Sequence, residues 1–83
     1  MIVTRTEVIA TLEDRLAGRL SADTLATWAF DLFYQLDQGK AAVAPEDADV
    51  IAAVLDELLF ADDERFALSP DDLRRLVARL KQP

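Results

Sequence analysis

Apolar residues along the chain recur every three or four positions rather than at every second position. This spacing places them on one side of a helix. The few glycines and prolines fall between the apolar runs and divide the chain into four segments. We therefore predict an all-α fold, a compact four-helix bundle-like single domain with short loops that comprises residues 1–83. The predicted helices cover about residues 5–19, 22–38, 45–60 and 70–81.

Residues that favour the start of a helix stand in front of each segment. Thr4, Ser21 and Ser69 can accept hydrogen bonds from free backbone amides as N-caps. Proline suits the first helical turn, where its missing amide costs nothing, and Pro45 and Pro70 take that place. These local signals predict where the helices begin.

Each predicted helix carries one apolar stripe that we expect to form the core. The stripes consist of Val8, Ile9, Leu12 and Leu16; Leu25, Trp28, Ala29, Leu32, Phe33 and Leu36; Ala48, Ile51, Val54, Leu55, Leu58 and Leu59; and Leu73, Leu76, Val77 and Leu80. Phe66 is also expected in the core, because small domains usually bury their aromatic side chains. Phe30 lies away from the main stripe and is either core or exposed, and we favour the core. Tyr34 and Phe60 are the aromatic residues that we expect at the surface.

The charge distribution adds a one-sided feature. The formal net charge is -7, with 16 acidic and 9 basic residues. No basic residue occurs between Lys40 and Arg65, whereas eight acids do: Glu46, Asp47, Asp49, Asp56, Glu57, Asp62, Asp63 and Glu64. Localised negative charge is typical both of a surface for a basic partner and of a solvated helix face. Helix faces built for stability usually mix the two signs, so both interpretations stay open.

The side-chain inventory disfavours several function classes. Histidine and cysteine are absent, which removes the usual bases and nucleophiles, so we expect no enzyme and no cofactor. A calcium loop starting at Asp62 would have Ala67 at its turn glycine and Leu73 at its closing glutamate, so we expect no metal site. A pI near 4.3 disfavours nucleic-acid binding.

The apolar runs are short. Neither the opening sequence MIVTRTEVIA nor any later stretch approaches the roughly 18 apolar residues of a membrane span. We therefore expect a cytoplasmic protein that does not bind a membrane.

Residues 8–80 resemble the small bacterial immunity proteins of the colicin D type and related contact-dependent immunity proteins. The similarity lies in VIATLEDRLAGRLSADTLATWAFDL, DVIAAVLDELLFADD and FALSPDDLRRLVARL. The matching positions are Gly18, Ser21, Trp28, Ala29, Leu55 to Leu59, and Ser69 to Leu73. This resemblance implies an inhibitor of a cognate nuclease-like toxin, in which acids occupy the basic cleft that otherwise binds nucleic-acid phosphates.

From the resemblance and the charge pattern, we expect an acidic surface with two aromatic anchors, Tyr34 and Phe60, to bind a toxin that has a basic surface. The acids expected in this surface are Asp49, Asp56, Glu57, Asp62, Asp63 and Glu64. Such an inhibitor would act as a monomer or weak homodimer. The alternative is a non-enzymatic helical interaction or regulatory module that could self-associate. An exposed apolar patch on the first or second helix would favour that alternative.

Overall fold

A computed structural model of the chain describes residues 2–60, 63, 65 and 67–82. In chain order, its elements are β1 (Ile2–Val3), α1 (Arg5–Leu16), α2 (Ala22–Asp37), β2 (Ala42–Val43), α3 (Pro45–Leu58) and α4 (Pro70–Lys81). The predicted all-α class is confirmed. The radius of gyration is 11.9 Å, and a compact chain of this length has a value of roughly 12 Å. Helix α1 packs mainly against α4, and α2 packs mainly against α3.

The predicted N-caps are present. Thr4, Ser21 and Ser69 each accept a hydrogen bond from the backbone amide three residues later, at 3.1 to 3.2 Å. Ser69 and Asp72 form a full capping box, because the Ser69 amide also donates to the Asp72 carboxylate at 3.0 Å. Pro45 occupies the first position of α3. Local hydrogen bonds therefore set the helix starts.

Two helices end earlier than predicted. Helix α1 ends at Leu16 and α3 at Leu58, so the connection from α3 to α4 spans residues 59–69. Gly18 and Gly39 follow α1 and α2 in the left-handed region, with φ of 81° and 76°. Each glycine amide donates to the carbonyl three residues back, and the next amide donates to the carbonyl five residues back. This is the Schellman arrangement, which stops each helix at its C-terminus.

A two-stranded parallel sheet was not predicted. Strand β1 pairs with β2 in a register that places Ile2 opposite Ala42 and Val3 opposite Val43. Residues 41–44 lie between the second and third predicted helices, and a two-residue strand is too short to show alternation in the sequence. The sheet ties the N-terminal residues to the connection between α2 and α3, and Val3 is buried there.

The core is built from the predicted stripes of all four helices. Its fully or nearly fully buried members are Val8, Leu12, Leu25, Ala29, Leu32, Ile51, Val54, Leu55, Leu58, Leu73, Leu76, Val77 and Leu80. Trp28 is half-buried and packs against this cluster, as Ile9, Leu16, Leu36 and Leu59 do. The periodicity therefore identified the interior of the domain.

Two aromatic predictions are wrong. Phe33 is 44% exposed and Phe30 is 60% exposed. The inner face of α2 is filled by Ala29 and Leu32, and a helix turns about 100° per residue. Phe30 and Phe33, one position later in each case, are therefore rotated away from the core. Phe66, also predicted as core, lies outside the described residues.

Arg5 joins three helices. Its Nε atom donates to Asp47 Oδ1 at 2.6 Å, and its Nη1 atom donates to the carbonyls of Leu80 at 3.2 Å and Gln82 at 2.5 Å. These contacts link the start of α1, the first turn of α3 and the end of α4. Asp47 therefore has a tertiary contact in addition to its favourable place at a helix N-terminus.

Candidate protein-binding surface

The negative charge lies on one pair of adjacent helices. Helices α2 and α3 contain no lysine or arginine, and the only basic residue in 22–58 is Lys40 in their connection. The acids in this range are Asp23, Asp31, Asp37, Glu46, Asp47, Asp49, Asp56 and Glu57. Eight acids and one base give -7, and the rest of the chain, with eight of each, sums to zero. The domain is therefore electrically polarised between its two helix pairs.

The outer side of α3 presents three of the predicted site residues. Asp49, Asp56 and Phe60 are exposed, and their separations of seven and four positions point them to the same side. Phe60 is 55% exposed and lies beside Asp56, Glu57 and Leu68 at a depression of about 190 Å³. The predicted exposure of these residues is confirmed, and their role in binding stays a prediction.

Glu57 is exposed but faces a different environment. It lines a cleft of about 250 Å³ between α3 and α4, together with Arg75 and Arg79. Asp72 lines the same cleft and pairs with Arg75. The cleft thus contains both signs of charge, which reduces the net potential around Glu57. Glu57 is therefore at the edge of the acidic surface rather than at its centre.

The acids after α3 add less to this surface than their number indicates. Asp63 accepts hydrogen bonds from the Arg65 side chain at 3.2 Å and from the Arg65 backbone amide at 2.9 Å. These two bonds, the side-chain bond first, lower the pKa of the Asp63 carboxyl below its ordinary value. Arg65 thus offsets the charge of Asp63. Asp62 and Glu64, which were also predicted in the site, lie outside the described residues.

Helix α2 contributes an aromatic patch that the sequence interpretation largely missed. Phe30, Phe33 and Tyr34 are exposed, with Tyr34 at 53% as predicted. Their spacing of three and four positions makes them neighbours on the helix surface. A signal was available, because α2 has more large apolar side chains than one helix face can bury. Exposed aromatic residues beside charges are typical of binding hot spots.

An apolar groove separates the aromatic patch from the outer side of α3. It holds about 300 Å³ and is lined by Phe33 and Leu36 of α2 and by Ala48, Ala52 and Leu55 of α3, among others. The two alanines leave space that larger side chains would fill. We call this feature the α2–α3 groove.

A second depression lies farther along the same pair of helices. Its volume is about 220 Å³, and it lies between Phe30 and Leu59. Phe30 is thus near the end of α3, while Leu36 is near Ala48 at its start, so the two helices run antiparallel. The two depressions together span residues 48–59, which is about three helical turns.

Two further properties bear on the function. In residues 2–60, 63, 65 and 67–82, no group of three carboxylates is placed to hold a metal ion. None of the helices in the same residues is long and apolar enough to cross a bilayer.

No protein-family model, no curated protein and no solved structure matches this chain. The resemblance to immunity proteins therefore stays a prediction, and the function has to be inferred from the surface.

Proposed function

We propose that this protein is an inhibitor of the immunity type, which binds a basic, nuclease-like toxin in the cytoplasm and covers its substrate-binding site. The observation that supports the proposal most is the charge of α2 and α3, which carry eight acids and no base, and among the described residues only Asp47 of these helices is paired to a base elsewhere, Arg5. A site that binds nucleic-acid phosphates is basic. An acidic surface is the complement of such a site.

The surface has features that favour both fast association and slow dissociation. Its field accelerates encounter with a positive site by about 10- to 1,000-fold at low salt. Its exposed aromatic residues, Phe30, Tyr34 and Phe60, lie beside acids and can be desolvated in the complex, which slows dissociation. Charge would thus govern association, and the aromatic side chains would govern the lifetime of the complex.

Self-association is the second candidate, because the exposed patch on α2 is the feature expected of a self-associating module. The charges disfavour it, since a two-fold contact through α2 would place Asp31 and Asp37 near the same residues of a second copy. We expect a monomer at low salt and neutral pH. Sedimentation at low and high salt measures this directly, and a stable dimer at low salt would favour the second candidate.

The test of inhibition begins with capture of the partner from lysate of the source organism at low salt. The captured protein is then purified, and its nuclease activity is measured with and without the inhibitor. We expect inhibition at a one-to-one ratio, with binding that weakens as salt is added. A captured protein that has no nuclease activity, or keeps full activity in the complex, contradicts the proposal.

The binding surface is tested with two charge reversals that change the net charge equally. Asp56 and Glu13 are both exposed and both lie in the last turn of their helices, α3 and α1. We expect Asp56→Lys to slow association with the purified toxin about tenfold at low salt, and Glu13→Lys to change it less than about twofold. Equal slowing by both variants would show that only net charge matters.

A further inference from the structure

The α2–α3 groove has the dimensions of a helix-binding site. Together with the second depression it spans residues 48–59, from Ala48 of α3 to Leu59 just after the end of that helix, a length of about 16 Å at 1.5 Å per residue. Three turns of a partner helix would cover it. Its floor includes Leu36 and Leu55, and its side wall is Phe33, which is only partly covered by the protein itself.

Acids flank the groove on both sides. Asp37 lies at its α2 edge. Asp49 and Asp56 stand on the exposed side of α3, one position after Ala48 and Leu55 of the groove. Neither helix has a basic residue that could offset these acids. An occupant that is apolar along one face and basic along both edges is therefore complementary to the groove.

We infer that the α2–α3 groove binds an amphipathic helix of the partner protein, with apolar residues spaced by three and four positions toward the groove and lysines or arginines on both flanks. This inference rests on the proposed function and assigns a site and a structural element to it. The mode is the common one in which an amphipathic helix lies in a hydrophobic groove.

Two other occupants fit less well. An extended peptide gains affinity by pairing its backbone with a free sheet edge. Apart from Val43 of the two-residue strand β2, the groove is lined by helices, whose backbone groups are already paired internally. A second copy of this chain would bring Asp37, Asp49 and Asp56 against the equivalent acids. Charge complementarity therefore selects a basic helix.

A synthetic peptide of lysine and leucine tests the site without the natural partner. One 16-residue peptide has leucines at helical spacing, and a control peptide has the same composition in a scrambled order, so both carry the same charge. Fluorescence anisotropy gives their dissociation constants. We expect the amphipathic peptide to bind at least tenfold more tightly than the scrambled peptide, and equal binding would overturn the inference.

Two alanine-to-leucine substitutions locate the binding site of the peptide. Ala52→Leu fills the groove, whereas Ala78→Leu makes the same change at an exposed position of α4. We expect Ala52→Leu to raise the dissociation constant of the amphipathic peptide at least tenfold, and Ala78→Leu to raise it less than twofold. Phe33→Ala, which removes the side wall of the groove, should also weaken binding of this peptide. Equal effects of the two leucine variants would place the peptide elsewhere and overturn the inference.

The same variants separate this inference from the proposed function. If the purified toxin is sensitive to Asp56→Lys but not to Ala52→Leu, the inhibitor proposal stands and the groove inference fails. If it is insensitive to both, the acidic surface is not the binding site and both fail. A dimer in sedimentation that Ala52→Leu dissociates would show that a second copy occupies the groove, which also overturns the inference.

Discussion

Replacing Arg5 with methionine should destabilise the domain more than the loss of an ordinary surface charge. The substitution keeps the apolar stem and removes the guanidinium group, which binds Asp47 and the carbonyls of Leu80 and Gln82. The side chains of Arg5 and Asp47 are only 24% and 22% exposed. Their ion pair is therefore less hydrated than a pair at an open surface.

The magnitude follows from this burial. Hydrogen bonds to charged groups contribute about 1.5 to 3 kcal/mol, and fully exposed pairs contribute only about 0.2 to 1 kcal/mol. The contact from Arg5 to Gln82 is exposed, so water can replace it at the carbonyl. We expect Arg5→Met to lower the free energy of unfolding by about 1.5 to 2 kcal/mol. For a domain of this size, the corresponding decrease in Tm is about 6 to 16 °C.

Thermal unfolding followed by circular dichroism measures the effect, and Arg74→Met is the matched control. Arg74 pairs with Asp71 at 2.9 Å, but their side chains are 65% and 86% exposed. We expect the control, an exposed helix pair worth about 0.3 to 0.5 kcal/mol, to change Tm by about 4 °C or less. A double-mutant cycle of Arg5→Met with Asp47→Asn should give a coupling of about 1 kcal/mol. Equal Tm changes for Arg5→Met and Arg74→Met would refute the reasoning.

Three other substitutions test the core, a helix end and a cap. Ile51 is fully buried, so Ile51→Ala should cost about 2 to 5 kcal/mol in urea unfolding, and a cost below about 1 kcal/mol would contradict its burial. Gly39 has φ of 76° and open space where a Cβ would lie, so Gly39→Ala should cost about 1 to 2 kcal/mol through backbone strain alone, and an unchanged Tm would be inconsistent with that. The backbone amide of Ser69, then its hydroxyl, lowers the pKa of Asp72 below its ordinary value of 3.8. Because the folded pKa is the lower one, the stabilisation is present above pH 3.8 and is lost as pH falls through the folded value. The stability difference between the natural protein and Asp72→Asn should therefore be constant from about pH 7 to 5 and shrink toward pH 2, and a difference that grows toward low pH would contradict the assignment.

The candidate surface could be predicted only in part. The acids of α3 and the exposure of Tyr34 and Phe60 followed from charge and periodicity. The groove did not, because it requires knowing that α2 lies antiparallel beside α3 and that Ala48 and Ala52 face Phe33 across the contact. The charge of Asp63 was overestimated, because its hydrogen bonds with Arg65 depend on the conformation of the connection.

The sequence by itself determined the four helices, their starts and most of the core. These features depend on interactions within one or two helical turns, such as the bonds that Ser21 and Ser69 make to amides three residues away. Such interactions are encoded by neighbouring residues. The two early helix ends, at Leu16 and Leu58, show that this local information fixes a boundary only to within about three residues.

Only the tertiary structure decided which aromatic side chains of α2 are exposed, that residues 2–3 pair with residues 42–43, and that Arg5 contacts Asp47 and the end of α4. Each of these depends on residues that are far apart in the chain. Local sequence patterns carry no information about such contacts, because the contacts form only when whole helices pack against one another. Packing of the helices also brings Phe33 to one wall of the α2–α3 groove and leaves it partly open to solvent.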